Sequence, residues 1–317
     1  MKHFFHSLFI LLILSCEFSG CKAKKTPSTV NIAIQPSAAF IPLYVARYNG
    51  FIEDALKPLG VTVNWQDFES GPPMNESLSA EMSDIGVIGD VPSVSALAGA
   101  VPMKIVGIPA SGSDAYAMLS RRDDNGFKDS SEMKGKRIAT VFGSTGHNFV
   151  TKLLQKNGLT FDDVEFVSIN AGDAENVLNS KLADAVVIWE PNVTRLIDSG
   201  VAKVVAYGSE TDLRGTNAFV VRSEYLLNHR EVIKVILEQY ERSVTMIPEL
   251  DGEILSKIAS ALKITPEQVK EVAKKYDFSV RISADDVKSL QDTVRFLVQI
   301  GNLDAPYLVS SKTENIL

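Results

Sequence analysis

Two stretches of this chain follow the same plan, and this internal repeat constrains the fold more than any other feature. In the first copy, Asp84 opens a short apolar run that ends at Asp90, just before Pro92. In the second copy, Asp184 opens a run that ends at Glu190, directly before a proline. Strands that alternate with helical patterns indicate βαβ units and mainly parallel sheets. Unless it is a chance likeness between ordinary βαβ stretches, the repeat predicts two α/β lobes of similar topology.

Apolar periodicity predicts where the elements of both copies lie. Residues 105–119 and 204–221 are the predicted passages between the lobes. Downstream, helices are predicted at residues 231–247, after a capping box at Thr265 and at residues 283–300. We expect these helices to pack onto the first lobe. The predicted strands are at residues 30–34, 61–65, 85–88, 137–141, 164–168 and 185–189. The predicted helices of the two copies are at residues 40–48, 74–82, 149–156 and 174–182.

The N-terminal residues indicate export. Lys2 and His3 precede an apolar stretch at residues 8–14, which is typical of a secretory signal and too short to span a bilayer. Cys16 and Cys21 end this segment, and a cysteine after small residues at the end of a bacterial signal is an acylation site. The sequence leaves open which of the two is lipidated, and a disulfide between them is the alternative. No cysteine follows, so the fold has to be stabilised by an ordinary core.

These features divide the chain into a leader and two lobes. Residues 1–21 are the expected lipoprotein signal and anchor region, and residues 22–29 are a polar tether. Residues 30–112 and 217–317 are the expected first lobe, and residues 113–216 the second. We therefore expect an exported protein, in the periplasm or on the outer face of the cell membrane, held by a lipid on an N-terminal cysteine.

Composition argues against several classes of function. The net charge of −7 argues against binding of nucleic acid, which requires clustered lysines and arginines, but a local site can still bind an anion. Two of the four histidines lie in the signal, and no pair has metal-ligand spacing. A hydrolase is the main alternative class because Ser144 and His147 are close in sequence, but no Gly-x-Ser-x-Gly elbow is present. We expect no enzymatic activity, no cofactor and no metal.

Candidate ligand-binding residues follow the predicted strands, because open α/β sheets bind ligands beyond the carboxyl ends of their strands. Ser144 suits a helix N-cap, Thr145 adds a hydroxyl, and His147 can donate to an anion. Such a helix start binds oxyanions through free N–H groups and the helix dipole. Ser70 and Gly71 offer the same arrangement in the first copy. A plain capped helix is the alternative at each start, and a packed position behind the site is the alternative for His147.

Further candidates lie at the ends of other strands. Gln35 and Ser37 can supply amide and hydroxyl donors, and Asn217 lies where the chain re-enters the first lobe. Trp189 can form an apolar wall of the site or belong to the core.

The carboxylates of Asp90 and Glu190 have two interpretations. Like charges disfavour each other, so an anion would be repelled by either group. Both can instead cap the helices that begin beside the following prolines. The functional alternative is that one of them meets an ammonium or a hydroxyl group of the ligand.

Six further motifs occur in order along nearly the whole mature chain. They lie at residues 68–73, 89–92, 133–139, 143–148, 188–191 and 229–234. Together they resemble the aliphatic sulfonate, taurine and nitrate family of solute-binding proteins of ABC importers. The resemblance implies a type II periplasmic-binding-protein-like fold, with a ligand cleft between two lobes that are joined by two crossing segments. It also implies a monomer that docks on an ABC permease in the membrane.

The resemblance carries site positions over to this chain. The loops that contain Ser70-Gly71, Gly89-Asp90, Ser144-Thr145-His147 and Trp189-Glu190 correspond to loops that face the cleft. Glu190 stands where many relatives have Asp, and Val91 stands where a hydroxyl residue is frequent. The expected function is capture of a small anionic or zwitterionic ligand, an aliphatic sulfonate or taurine, for delivery to the permease. Another small anion such as nitrate is the alternative.

Overall fold

The structure is a computed structural model that describes residues 29–125 and 127–317. The predicted signal, both cysteines and residues 22–28 of the tether lie outside the described residues. Within those ranges, none of the helices combines the length and the apolar character that a membrane crossing requires.

The described residues form eleven strands and twelve α-helices. The strands are β1 (Thr29–Ile34), β2 (Thr62–Asp67), β3 (Ile85–Gly89), β4 (Met103–Ser111), β5 (Tyr116–Arg121), β6 (Arg137–Thr140), β7 (Glu165–Ser168), β8 (Ala185–Trp189), β9 (Ala202–Tyr207), β10 (Asn217–Arg222) and β11 (Asp277–Phe278). The helices are α1 (Ile41–Asn49), α2 (Phe51–Leu56), α3 (Gly71–Ser79), α4 (Asp90–Ala98), α5 (Thr145–Lys156), α6 (Ala174–Asn179), α7 (Asn192–Asp198), α8 (Ser223–Asn228), α9 (Arg230–Met246), α10 (Gly252–Leu262), α11 (Pro266–Ala273) and α12 (Ala284–Gln299).

The strands form two separate sheets. One has the order β11-β4-β10-β3-β1-β2 and the other the order β7-β6-β8-β5-β9. We call the six-stranded sheet with its helices the first lobe, and the five-stranded sheet with its helices the second lobe. The chain passes from the first lobe to the second between β4 and β5, and returns between β9 and β10.

Both sheets are mixed, so the expectation of mainly parallel sheets is wrong for part of each. β1 pairs in parallel with β2 and β3, and β6 pairs in parallel with β7 and β8. β10 and β5 run antiparallel to both of their neighbours. These two are the strands by which the chain enters a sheet from the other lobe. Because no βαβ crossover precedes them, nothing imposes the parallel direction.

The internal repeat is present in the hydrogen bonding of the strands. Asp84 accepts a hydrogen bond from the backbone N–H of Asn31 at 2.8 Å. Asp184 accepts the equivalent bond from the backbone N–H of Arg137, also at 2.8 Å. In both copies of the repeat the aspartate before the third strand (β3 or β8) therefore ties that strand to the first one (β1 or β6).

Two helices begin earlier than their periodicity predicts. α3 begins at Gly71 and α5 at Thr145, several residues before the apolar pattern starts. Their first turns consist of glycine, proline and polar residues, which carry no apolar signal. The prolines at positions 72 and 73 fit there because the first turn of a helix needs no N–H donor from them. The N-terminal ends of both helices consequently lie close to the strands that precede them.

The C-terminal helices cover the first lobe. α9 packs on α1 and α2, α10 on α1, and α12 on α4. Tyr240 of α9 is fully buried, and its hydroxyl donates to the carbonyl of Pro109 at 2.6 Å. The predicted capping box is present at α11, where Gln268 N–H donates to Thr265 Oγ1 at 3.2 Å and Thr265 N–H donates to Gln268 Oε1 at 2.8 Å.

Candidate site between the two lobes

A small cavity of ≈ 20 Å³ lies between the lobes. A cavity needs about 10–15 Å³ of such volume to hold one water molecule, so the lobes are nearly closed on each other here. Every side chain that lines the cavity is uncharged. The lining residues are Gln35, Ser37, Gly71, Gly89, Pro92 and Asn217 from the first lobe, and Tyr116, Ser144, Thr145 and Trp189 from the second.

Two helix starts from opposite lobes meet at this cavity. Gly71 is the first residue of α3, and Thr145 is the first residue of α5. At that position a backbone N–H has no acceptor within its own helix, and the helix dipole is positive. Ser144 is the N-cap of α5, and its Oγ accepts from the His147 N–H at 3.4 Å. Ser70 occupies the same position before α3, but its side chain makes no capping bond and does not line the cavity.

Two glycines are required by close approaches around the cavity. A Cβ at Gly71 would lie 2.6 Å from the Cγ of Pro92, which belongs to the same lobe. A Cβ at Gly89 would lie 2.5 Å from the Oγ1 of Thr145, which belongs to the other lobe. Only the second contact depends on closure of the lobes.

Polar groups of the first lobe reach the cavity after β1. Gln35 is 5% exposed, and its Oε1 is buried without a hydrogen-bond partner among the described residues. Ser37 caps a short 3-10 helix at residues 38–40, where its Oγ accepts from the N–H of Ala39 at 3.3 Å. The expected amide and hydroxyl groups are therefore both at the cavity.

Tyr116 and Pro92 line the cavity although neither is among the candidate ligand-binding residues predicted from the sequence. Tyr116 is the first residue of β5 and pairs with Trp189 of β8, just as Asn217, the first residue of β10, pairs with Gly89 of β3. Tyr116 and Asn217 therefore hold equivalent positions in the two copies of the repeat, and this equivalence could have predicted Tyr116 from Asn217. Burial raises the pKa of Tyr116 and the charge of Asp90 raises it further, so its hydroxyl stays protonated as a donor.

Asp90 does not line the cavity but lies directly behind Thr145. The residue is 1% exposed and its carboxylate accepts four hydrogen bonds. Its Oδ1 accepts from the Val91 N–H at 2.8 Å and from Thr145 Oγ1 at 2.5 Å. Its Oδ2 accepts from Asn148 Nδ2 at 3.2 Å and from Thr293 Oγ1 at 2.9 Å. Since Thr145 and Asn148 belong to the second lobe, this carboxylate joins the lobes.

Glu190 also lies outside the cavity lining and also joins the lobes. It is fully buried and accepts from the N–H of Thr194 at 3.0 Å and from its hydroxyl at 2.9 Å. The first of these bonds satisfies a donor in the first turn of α7, which agrees with the capping interpretation. The same carboxylate forms an ion pair with Lys275 of the first lobe.

His147 lies in an aromatic cluster rather than at the cavity. Its ring stacks on Phe142 at a centroid distance of 5.0 Å and meets the edges of Phe166 at 5.6 Å and of Phe296 at 5.7 Å. Its Nδ1 is buried without a partner among the described residues, and desolvation lowers the pKa of the imidazole. This is the packed position that the sequence left open for His147.

The arrangement of the cavity suits recognition of a small polar group by neutral dipoles. Trp189 is 6% exposed, and no acceptor for its indole N–H is found in the described part of the chain. No group of three histidine, cysteine, aspartate or glutamate side chains there could hold a metal ion. The cavity can therefore offer hydrogen bonds from uncharged lining side chains.

The family model described as NMT1/THI5 like matches residues 37–249, more than half of the chain. The chain belongs to the NMT1/THI5-like family. Among curated relatives, a putative aliphatic sulfonates-binding protein of Bacillus subtilis is 28% identical over 74% of this chain and 70% of its own length. The taurine-binding periplasmic protein of Escherichia coli is 27% identical over 65% of this chain and 62% of its own length.

Solved structures of other proteins share the fold. The alkanesulfonate-binding protein SsuA from Xanthomonas axonopodis, bound to MOPS, superposes with a TM-score of 0.83 at 22% identity, over 92% of this chain and 99% of that chain. The two-lobed periplasmic-binding fold predicted from the sequence is thereby confirmed. A desulfurization enzyme, DSZB, has the same fold, with a TM-score of 0.69 at 16% identity over 91% of this chain and 97% of that chain.

Proposed function

We propose that this protein is the solute-binding component of an ABC importer, which captures a small sulfonate-type anion or zwitterion between its lobes and delivers it to a membrane permease. The observation that carries the proposal is the meeting of two helix starts, at Gly71 and Thr145, on one uncharged cavity. The sulfonate- and taurine-binding relatives support the same ligand class.

The chemistry of the cavity fits a permanently ionised head group. A sulfonate stays charged at every physiological pH, so it needs donors rather than a proton-accepting partner. The donors available are the indole N–H of Trp189, the hydroxyls of Ser144 and Tyr116, and the free N–H groups of Gly71 and Thr145. Helix N-termini bind such oxyanions without a formal positive charge.

Export and anchoring are part of the proposal. The signal-like N-terminus and the periplasmic relatives support an exported protein. We infer lipidation of Cys16 or Cys21, and we expect a monomer that docks on the permease. Expression of the full chain with Cys16→Ser or Cys21→Ser, followed by membrane fractionation, distinguishes the two cysteines: only the variant that lacks the acylated one is expected to leave the membrane fraction.

An enzymatic role is disfavoured by the groups that reach the cavity. Both cysteines precede residue 29, so neither lobe contains a thiol nucleophile. Ser144 accepts from the backbone of His147, while the imidazole of His147 lies in the aromatic cluster and makes no hydrogen bond to the Ser144 hydroxyl. A serine without a base at its hydroxyl lacks the arrangement that activates it as a nucleophile.

Calorimetry on the dialysed protein tests the ligand class. Titration with alkanesulfonates, taurine and nitrate is expected to give saturable binding of a sulfonate to one site. At one hundred times the Kd, the ligand should stabilise the folded state by about 2.7 kcal/mol in a thermal shift. If only nitrate binds, the assigned ligand changes from a sulfonate to a smaller anion. If none of these solutes binds, the proposal is overturned.

A matched pair of variants tests the helix start. Ser144→Asp places a carboxylate at the N-terminus of α5 and is expected to weaken sulfonate binding about a hundredfold or more, because like charges repel. Ser144→Asn introduces a side chain of nearly the same size as aspartate but without the charge, so it is expected to reduce the sulfonate affinity less. Equal affinities of the two variants would show that the sulfonate does not lie at this helix start.

A further inference from the structure

The lobes also touch outside the cavity, where α5 of the second lobe passes α12 of the first. The edge of Phe296 on α12 meets the imidazole of His147 on α5, with the ring planes at 89° and the centroids 5.7 Å apart. Farther along the same two helices, Gln155 Nε2 donates to Gln299 Oε1 at 3.2 Å. Neither His147 nor Phe296 lines the cavity, so their contact depends on closure of the lobes and not on a ligand atom.

The other aromatic rings around this imidazole belong to its own lobe. Phe142 stacks on it at a centroid distance of 5.0 Å, and the edges of Phe161 and Phe166 meet it at 6.3 Å and 5.6 Å. These three rings move with His147 when the lobes separate, whereas Phe296 stays on the first lobe. Opening of the lobes therefore removes one side of the enclosure and admits water to the imidazole.

The enclosed imidazole lacks the hydrogen-bond acceptor that its protonated form needs. Its Nδ1 is buried and has no hydrogen-bond partner among the described residues. A protonated imidazole donates from both ring nitrogens, so protonation in the closed form would bury an N–H group without an acceptor. Stacking of the cation on Phe142 offsets only part of this cost, since desolvation still lowers the pKa of His147. The closed form therefore favours the neutral imidazole.

Charged groups on the surrounding elements do not compensate for a proton on His147. Desolvation is the cause that lowers its pKa, and no neighbouring charge in the described part of the chain contributes. Two of the nearby carboxylates are already paired, Asp163 with Lys134 at 3.1 Å and Asp292 with Arg295. The charged side chains next to the contacting rings are Asp162, Asp163, Glu165, Asp292 and Arg295, and Lys152 follows on α5.

We propose that His147 and Phe296 form a pH-sensitive clasp between the lobes, so that acidification favours the open form and weakens ligand binding. The inference rests on the proposed function, in which the closed form holds the ligand, and adds a regulation of that binding. Because the ligand binds the form with a neutral imidazole, binding expels any proton that the open form holds on His147. Affinity is therefore full above about pH 6.5, the ordinary histidine pKa, and falls as the pH drops toward the lower pKa of the closed form.

Calorimetric titration of the full-length protein with ethanesulfonate tests the clasp at about pH 7.5 and about pH 5.5, on either side of the ordinary histidine pKa. The sulfonate stays ionised at both pH values, so a change in affinity comes from the protein. We expect the Kd of the wild type to rise about fivefold at the lower pH, and that of His147→Phe to rise about twofold or less. His229→Phe is the control and should keep the wild-type ratio, because His229 packs on Tyr225 within the first lobe at a centroid distance of 4.7 Å.

A matched pair of variants separates the contact between the lobes from packing within one lobe. Phe296→Leu and Phe166→Leu each remove a ring whose edge meets the same imidazole, at 5.7 Å and 5.6 Å. Only Phe296→Leu should reduce the ratio of the two Kd values, because Phe166 covers the imidazole in the open form as well. If the wild-type Kd does not rise at the lower pH, if His147→Phe keeps the wild-type ratio, or if both leucine variants reduce it equally, the proposal is overturned while the sulfonate function stands. If ethanesulfonate does not bind at the higher pH, the proposed function itself fails.

Discussion

The two carboxylates that join the lobes occupy equivalent positions in the repeat but use different chemistry. Asp90 and Glu190 each follow the third strand of their copy of the repeat, β3 and β8, and are buried. Asp90 meets the other lobe through the neutral groups of Thr145 and Asn148, whereas Glu190 meets it through the ammonium of Lys275. The repeat therefore determines where a carboxylate lies, and the partner that it meets from the other lobe determines what it does.

The surroundings of the two groups also differ. The side chain of Lys275 is 27% exposed while that of Glu190 is 0% exposed, so the lysine can turn to solvent if it loses its partner. The groups that donate to Asp90 are all buried and have no such route. We therefore expect the first lobe's carboxylate to contribute more to stability than the second lobe's.

The largest effect is expected for Asp90→Asn. The amide keeps one acceptor oxygen and replaces the other by an NH2 group. Two of the four buried donors, either the Val91 N–H and Thr145 or Asn148 and Thr293, would therefore face a donor where they now have an acceptor. We expect a loss of about 3 kcal/mol in the free energy of unfolding, measured by urea denaturation of the ligand-free protein. A cost below that of the equivalent change at Glu190 would reverse the comparison.

The residue before the carboxylate also differs between the lobes: it is Gly89 in the first and Trp189 in the second. Gly89→Ala tests the importance of the glycine. The added methyl group would meet Thr145 only when the lobes are closed. Sulfonate affinity should therefore fall about tenfold or more, with little change in the unfolding free energy of the ligand-free protein if the open form is accessible. Calorimetry measures the first quantity and urea denaturation the second.

Gly71→Ala serves as the contrast for Gly89→Ala. Its methyl group would meet Pro92 within the first lobe, so it should lower stability whether or not ligand is present. Equal losses of stability in the two variants would contradict the distinction between a contact within a lobe and a contact between lobes.

A smaller effect is expected for Glu190→Gln. The amide oxygen can still accept from Thr194, and Lys275 can reach solvent, so the expected cost is about 1 kcal/mol in the free energy of unfolding. Lys275→Met is the complementary variant: it leaves the Glu190 carboxylate buried without its cation, and it should cost more than Glu190→Gln. The opposite order in urea denaturation would show that the lysine, rather than the glutamate, depends on the pair.

The smallest effect concerns pH and the aromatic contact between the lobes. Burial lowers the pKa of His147 in the folded protein. Below about pH 6.5 the unfolded chain binds the proton more readily than the folded one, so stability is lost as the pH falls from there toward the folded pKa. His147→Phe should remove this part of the pH dependence. The free energy of unfolding, measured by urea denaturation from neutral to mildly acidic pH, is the test. Parallel curves of this free energy against pH for wild type and variant would contradict the prediction.

Apolar runs were sufficient to predict most strands, since buried strands in α/β lobes consist of β-branched and other apolar residues. The start of α3 was misplaced because its first turn carries glycine and prolines instead of a periodic pattern. The direction of β5 and β10 was missed because it depends on how the chain crosses between lobes, which no local pattern encodes.

The candidate site was predictable where it depends on strand ends and not where it depends on partners from distant segments. Ser144 and Gly71 follow strands and could be identified locally. Thr293 and Lys275, which bond to the two carboxylates, lie far along the chain in stretches without a motif. Tyr116 could have been found by mapping Asn217 through the repeat.

The position of Trp189 gives the protein an optical signal of its own. The chain contains two tryptophans, and the other one, Trp65, lies on β2 with its indole N–H bonded to Glu53 at 2.7 Å, away from the cavity. Emission from Trp189 should respond when a solute replaces water at the indole, whereas Trp65 supplies a constant background. Occupancy of the cleft can therefore be followed in the unlabelled protein, and Trp65→Phe isolates the responsive fluorophore.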